Sequence, residues 1–186
     1  MASLVAMNLH DLPVTIDDPV DSLLGFHRRI ERQLAILCRL PVQLEVHGVQ
    51  PVTSASAASL VEFFSTALPL HDEEEARGLL PLLERRLAPH ERRELREVRH
   101  RLEVDRRDMD RSWHALRRLL DAIGEGMHRA LPESLVQYFR ALHAVHITLE
   151  EAGVHLLAMR RLRPEDYAAL ARSIAAQRAV TRSSRG

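Results

Sequence analysis

Two segments pair a histidine with a glutamate four positions further on: His71 with Glu75, and His146 with Glu150. On a helix such partners stack one turn apart on a single face, where an imidazole and a carboxylate can share one cation. Two such pairs on two helices, joined by a histidine from a third, make a metal site inside a helical bundle. The same spacing also arises by chance on a solvated helix, so the apolar pattern around each pair has to decide.

That pattern is helical throughout, with no strand-like alternation. Asp18-Pro19-Val20-Asp21 reads as a helix start, with a capping aspartate, proline at the first helical position and an acid in the first turn. The first helix is expected to reach about Leu40, where Pro41 stops it. Its apolar stripe is Leu23, Ile30, Leu34 and Leu37, and His27 falls on that stripe. Residues 41–53 read as a loop, with Thr53 or Ser54 able to cap the second helix. The second stripe runs Leu60, Phe64, Ala67, His71, then Glu74 or Glu75, Gly78 and Leu82. Pro69 should kink this helix just before His71, and Pro81 is a second irregularity.

Pro89 opens a long third helix to about Ile123, with Gly124 and Gly126 as its stop. Its inner stripe includes Leu95, Val98, Leu102, Met109, Trp113, Leu116 and Leu120, and one position breaks it: Arg106 should point at the core. Leu131-Pro132-Glu133 starts the fourth helix, whose stripe is Leu135, Phe139, Leu142, His146, Leu149 or Glu150, Gly153 and Leu157. Arg163-Pro164-Glu165-Asp166 starts a short fifth helix carrying Tyr167, Leu170 and Ile174. The fold class is all-α: an up-down-up-down four-helix bundle over residues 18–178, with that short C-terminal fifth helix. Residues 1–17 form a lead-in and residues 179–186 a disordered tail.

Composition narrows the function classes. With 186 residues the chain can bury the core of one domain. Twenty-six basic residues balance 26 acidic ones. On the third helix the two signs are interleaved, which argues against nucleic acid or an anionic membrane as partner. Cys38 is the single cysteine and reads as a small buried hydrophobe. Met1 to Leu9 lacks the basic and apolar regions of a signal peptide, and no run approaches a membrane span, so a cytoplasmic protein is expected.

The polar residues interrupting the four apolar stripes are therefore His27, His71 with Glu75, Arg106, and His146 with Glu150. Each helix contributes one interruption near its middle. Burying such groups costs several kcal/mol each unless they are paired or bind a metal, roughly, so four separate accidents at one depth are a poor explanation. A shared metal is a better one.

The segments Asp18-Pro19 through His27 and Ile30-Glu31, Phe63-Phe64 through Pro69, His71, Glu75 and Pro81, and Tyr138-Phe139 through His146, Glu150 and Glu151 resemble bacterial hemerythrin-like proteins of the HHE cation-binding class. The stretch Arg163-Pro164-Glu165-Asp166-Tyr167-Ala168-Ala169-Leu170 resembles that family's usual ending, so the likeness covers residues 18 to about 178. It implies a four-helix bundle around a non-haem di-iron centre that binds or senses dioxygen, handles nitric oxide or peroxide, or senses iron. Carried over, His27 and His71 are terminal ligands, Glu75 and Glu150 bridge, and His146 is a terminal ligand of the other metal.

The third helix departs from the pattern, with Arg106 where the family has a histidine. Guanidinium stays protonated and offers a metal no lone pair, but its fork suits a carboxylate, and Glu75 is the partner anticipated. Three arrangements follow. One metal is held by His27, His71, Glu75 and Glu150 with Arg106 neutralising charge; two metals bind with Glu103 or Asp110 drawn in; or no metal binds and Arg106–carboxylate pairs hold the site. Mixed imidazole and carboxylate ligands suit iron, with manganese and zinc as alternatives.

His143 reads as a helix-surface histidine that could orient a ligand, Tyr138 as core, and His155 as out of phase with the stripe. No nucleophile–base pair or phosphate-binding loop suggests an enzyme or names a catalytic residue. The expected function is a metal-binding protein that binds or senses dioxygen or a related diatomic. The alternative is a metal-free structural or regulatory module that keeps the bundle.

Overall fold

The computed structural model describes residues 18–127 and 130–183. The lead-in expected over residues 1–17 lies outside them, as do residues 184–186 of the expected tail. Five helical rods make up the described chain, and no strand occurs among these residues. The first, α1, is Pro19–His47; the second, α2, joins the α-helical pieces Pro51–Glu62, Leu68–Glu73 and Leu80–Arg86 through π-helical turns at Phe63–Ala67 and Glu74–Leu79. Helix α3 is Pro89–Gly124, and α4 joins Glu133–Glu150 to Leu156–Arg161 through a π-helical turn at Glu151–His155. Helix α5 is Pro164–Ser183.

Local chemistry sets the ends. The Asp18 carboxylate accepts from the N–H groups of Val20 and Asp21 at 2.9 and 3.0 Å, capping α1 as its sequence requires. Pro41 does not stop that helix. It withholds one N–H, but Leu40 and Leu44 are both buried in the core, and their packing carries the helix on for another turn and a half. Gly48, at φ 68°, ends it by donating to the Leu44 carbonyl at 2.9 Å. The loop expected over 41–53 accordingly shrinks to a short link before α2. There Thr53 acts from the third helical position, its hydroxyl accepting from Gln50 N–H at 2.8 Å. Ser54 instead donates to the Ile123 carbonyl at 2.9 Å and ties α2 to the end of α3.

Irregularity in α2 falls where the prolines predict it, as π-helical turns. Each turn lies just upstream of a proline: Phe63–Ala67 before Pro69, and Glu74–Leu79 before Pro81. A proline frees a carbonyl one turn earlier, and the wider i→i+5 pairing absorbs the mismatch without breaking the rod.

Helices α1 to α4 close a ring, each packing on its chain neighbours and α4 returning to α1. Their apolar side chains form two clusters. One holds Phe26, Ile30, Phe64, Leu116, Phe139 and Ile147; the other holds Leu23, Leu79, Leu102, Val154, Leu170 and Ile174. Helix α5, 20 residues long rather than short, lies against α1 and α2 and helps build the second cluster. It continues to Ser183, past the point where the sequence suggested a loose tail. Arg178, on its last turns, grips the buried Glu74 carboxylate through two bonds of 2.6 and 3.0 Å.

Candidate metal centre

On all four bundle helices the polar interruptions fall between the two apolar clusters. On α1, Leu23 belongs to one cluster and Ile30 to the other, with His27 between them. The same order holds for Phe64, His71 with Glu75, and Leu79 on α2, and for Ile147, Glu150 and Val154 on α4. The buried polar layer is thus a mid-bundle slab, with His27, His71, Glu75, His146 and Glu150 each no more than 5% exposed.

Within the slab the side chains converge. Ligand atoms of His27, His71 and Glu75 all lie within 4.8 Å of one another. His27 Nε2 is 3.9 Å from Glu75 Oε1 and 3.5 Å from Glu150 Oε2, and His71 Nε2 is 3.7 Å from Glu75 Oε1. His146 Nε2 approaches Glu150 Oε1 at 3.2 Å. The three histidines singled out from the sequence therefore surround the two carboxyls singled out with them. Phe26 lies over the His71 ring at a centroid distance of 4.4 Å and an angle of 15°, closing the site on that side.

Tautomers follow from the partners. His27 Nδ1 is 3.0 Å from Glu151 Oε1, so its Nδ1–H donates to this carboxylate while Nε2 faces Glu75 and Glu150. Burial lowers the His27 pKa, but hydrogen bonds to Glu150 and Glu151 outweigh it and the net shift is upward. Burial, reinforced by the His27 charge, drives His71 down to about 3, which keeps it neutral with a free lone pair. Glu75 is pushed well up by burial and by the neighbouring Glu150 charge. Burial also works against ionised Glu150, yet hydrogen bonds from His146 and His27 prevail and hold it low. One ionised carboxylate beside one that resists ionisation is what two acids in a dry site must do without added positive charge.

Arg106 does not reach the centre of the core. Its side chain is 35% exposed and enters from the rim, with Nε 3.5 Å from Asp72 Oδ2 and Nη2 3.9 Å from Glu150 Oε1. The anticipated pairing with Glu75 is thus replaced by Asp72 and Glu150. Glu103 and Asp110 are exposed. Asp72, Arg106, Phe64, Trp113 and His143 line a cavity of about 180 Å³ beside the slab.

Three readings from the sequence change. Tyr138 is 52% exposed and not core, because it lies off the buried face defined by Phe139 and His146. His143 is buried, not a surface histidine; its Nδ1 is 3.0 Å from the Phe139 carbonyl and its ring packs 4.3 Å from Phe139. Burial lowers its pKa to about 4. His155 is fully inside the site, with Nε2 2.6 Å from Glu75 Oε1 and its ring 5.1 Å from that of His27. The π-helical turn at Glu151–His155 explains this. Counting from Glu150 in steps of three and four passes over position 155, whereas one wide turn returns the five-residue step to the same face. Gly153 in that turn is the one local signal the sequence offered. A Cβ there would stand 2.9 Å from Val98 Cγ1, so only glycine lets α4 approach α3 this closely.

The donor set passes a chemical test for a cation. His27 Nε2 and both ring nitrogens of His71 are buried without a hydrogen-bond partner, although imidazole nitrogens rarely go unpaired in a core. Converging imidazoles beside two carboxyls, one of which cannot readily ionise, are the environment a divalent ion would complete.

Similarity to known proteins agrees with this geometry. A protein from Haemophilus influenzae, described only as uncharacterized, is 26% identical over 137 residues, covering 74% of this chain and 77% of its own length. The model of the hemerythrin HHE cation-binding domain matches residues 18–158, which span all four bundle helices. The chain belongs to the hemerythrin HHE cation-binding domain family.

Proposed function

We propose that this protein binds non-haem iron between the two apolar clusters, at a site drawn from His27, His71, Glu75, His146 and Glu150, and thereby binds or senses dioxygen or a related small molecule. Family membership implies a metal cofactor, and the buried His/Glu cluster gives it a place. One observation carries the reading: buried ring nitrogens of His27 and His71 without close hydrogen-bond partners converge on the Glu75 carboxyl.

His27 and His71 would donate neutral nitrogen, Glu75 and Glu150 negative oxygen, and Glu151 would fix the His27 ring through Nδ1. Iron held there would supply redox chemistry toward a diatomic ligand. Phe26 excludes water from one side, and a second cavity, lined by Asp72, Arg106, Glu75 and Glu150, reaches the carboxylates. The role we favour is binding or sensing over turnover. Its setting is the cytoplasm, without membrane or nucleic acid; no described helix is long and apolar enough to cross a membrane.

Elemental analysis of protein purified without an affinity tag from iron-supplemented cells is the test. About one metal or more per chain is expected, with iron as the metal found. Less than about 0.1 metal per chain would end the reading. A metal-free structural module is the second reading, favoured by Arg106, whose charge already faces Glu150 and Asp72. It gains if the metal-free chain shows full helicity and stability.

A further inference from the structure

We propose that His155 is a metal ligand, so that His27, His71, His155, Glu75 and Glu150 together hold one cation while Arg106 takes the place of a second. The proposal rests on the metal-binding reading above and gives that site its stoichiometry and its third imidazole.

Three imidazole Nε2 atoms surround one carboxylate oxygen. His155, His71 and His27 lie 2.6, 3.7 and 3.9 Å from Glu75 Oε1. The rings of His71 and His155 stand 5.2 and 5.1 Å from that of His27, on separate helices or separate turns, so their nitrogens converge without stacking. Glu150 Oε2, at 3.5 Å from His27 Nε2, adds an oxygen donor from α4. His155 is 1% exposed, and its second nitrogen, Nδ1, has no hydrogen-bond partner.

On the opposite side the donor set is poor. His146 faces Glu150 alone, and Arg106 fills the space beside the same carboxylate oxygen with a permanent positive charge. A second divalent ion there would meet His146 with the Asp72 and Glu150 carboxylates, but also a guanidinium that already pairs with both acids and repels it. The site has therefore moved a donor from α3 to α4. The π-helical turn supplies the geometry, since Glu150 and His155 reach one face only across its five-residue step.

The test is anaerobic loading of the full chain with ferrous iron, followed by metal counting and X-ray absorption at the iron edge. Wild type is expected to hold one iron with three imidazoles. His155→Ala should hold it with two imidazoles and roughly a hundredfold weaker affinity, at or beyond what loss of a supporting residue costs. His155→Asn, which keeps a polar side chain facing Glu75, should also show two imidazoles, and it carries the test if the alanine variant folds poorly. Two irons per chain, two imidazoles in wild type, or an unchanged imidazole count in His155→Ala would overturn the proposal. No iron in wild type would instead overturn the metal-binding reading itself, and His155 with it.

Discussion

Arg106 Nη2 stands 3.9 Å from Glu150 Oε1, the oxygen that His146 Nε2 approaches at 3.2 Å. A guanidinium and an imidazole thus converge on one carboxylate oxygen, and no cation can replace the arginine without displacing it. Arg106→His should open that position to a second ion. Iron per chain should rise from one toward two, with magnetic coupling visible by Mössbauer spectroscopy. An unchanged stoichiometry would mean that Arg106 is not what limits the site.

Arg178 and Glu74 should matter to folding and not to metal. Glu74 is 2% exposed, and its carboxylate depends on the Arg178 guanidinium. Arg178→Met keeps the aliphatic reach but strands a buried charge, at a cost of about 3 kcal/mol. Chemical denaturation measures the loss, and hydrogen exchange should show residues 164–183 opening first.

Gly153→Ala should strain the contact between α4 and α3. The new methyl would meet Val98 Cγ1 at 2.9 Å and Cγ2 at 3.0 Å, and valine has few rotamers with which to yield. A loss of about 1–3 kcal/mol is expected, typical of overpacking. Val98→Ala in the same chain should recover most of it. Failure of that rescue would point to strain in the π-helical turn instead.

His143 should make the metal-free protein acid-labile. Its folded pKa is about 4 because of burial, against an ordinary value of 6.5. Between those values the unfolded chain binds a proton that the folded one refuses, so stability is full above the upper limit and falls as pH drops toward the lower. The linkage amounts to about 3 kcal/mol at most. His143→Phe, in a pocket already formed by Phe64 and Phe139, should reduce the fall in melting temperature between neutral and acid pH.

The sequence alone determined the bundle and most of its polar layer. Apolar steps of three and four located the helices, and caps such as Asp18 and stops such as Gly124 and Gly126 located several ends. The same steps put His27, His71, Glu75, His146 and Glu150 on inward faces; His27, His146 and Glu150 follow regular α-helical register, and the π-helical turns flanking His71 leave it and Glu75 buried. Pro41 misled for a related reason: local propensity argues for a stop, and only burial of Leu44 reveals why the helix goes on.

Only the tertiary structure decided how those residues combine. Counting along a regular helix cannot bring His155 inward, since it assumes 3.6 residues per turn, and the wider turn at Glu151–His155 breaks that assumption. Nor can counting choose Asp72 and Glu150 over Glu75 as partners for Arg106, because a long side chain entering from the rim is directed by charges on other helices. Periodicity is a property of one helix, whereas a ligand set is a property of several at once.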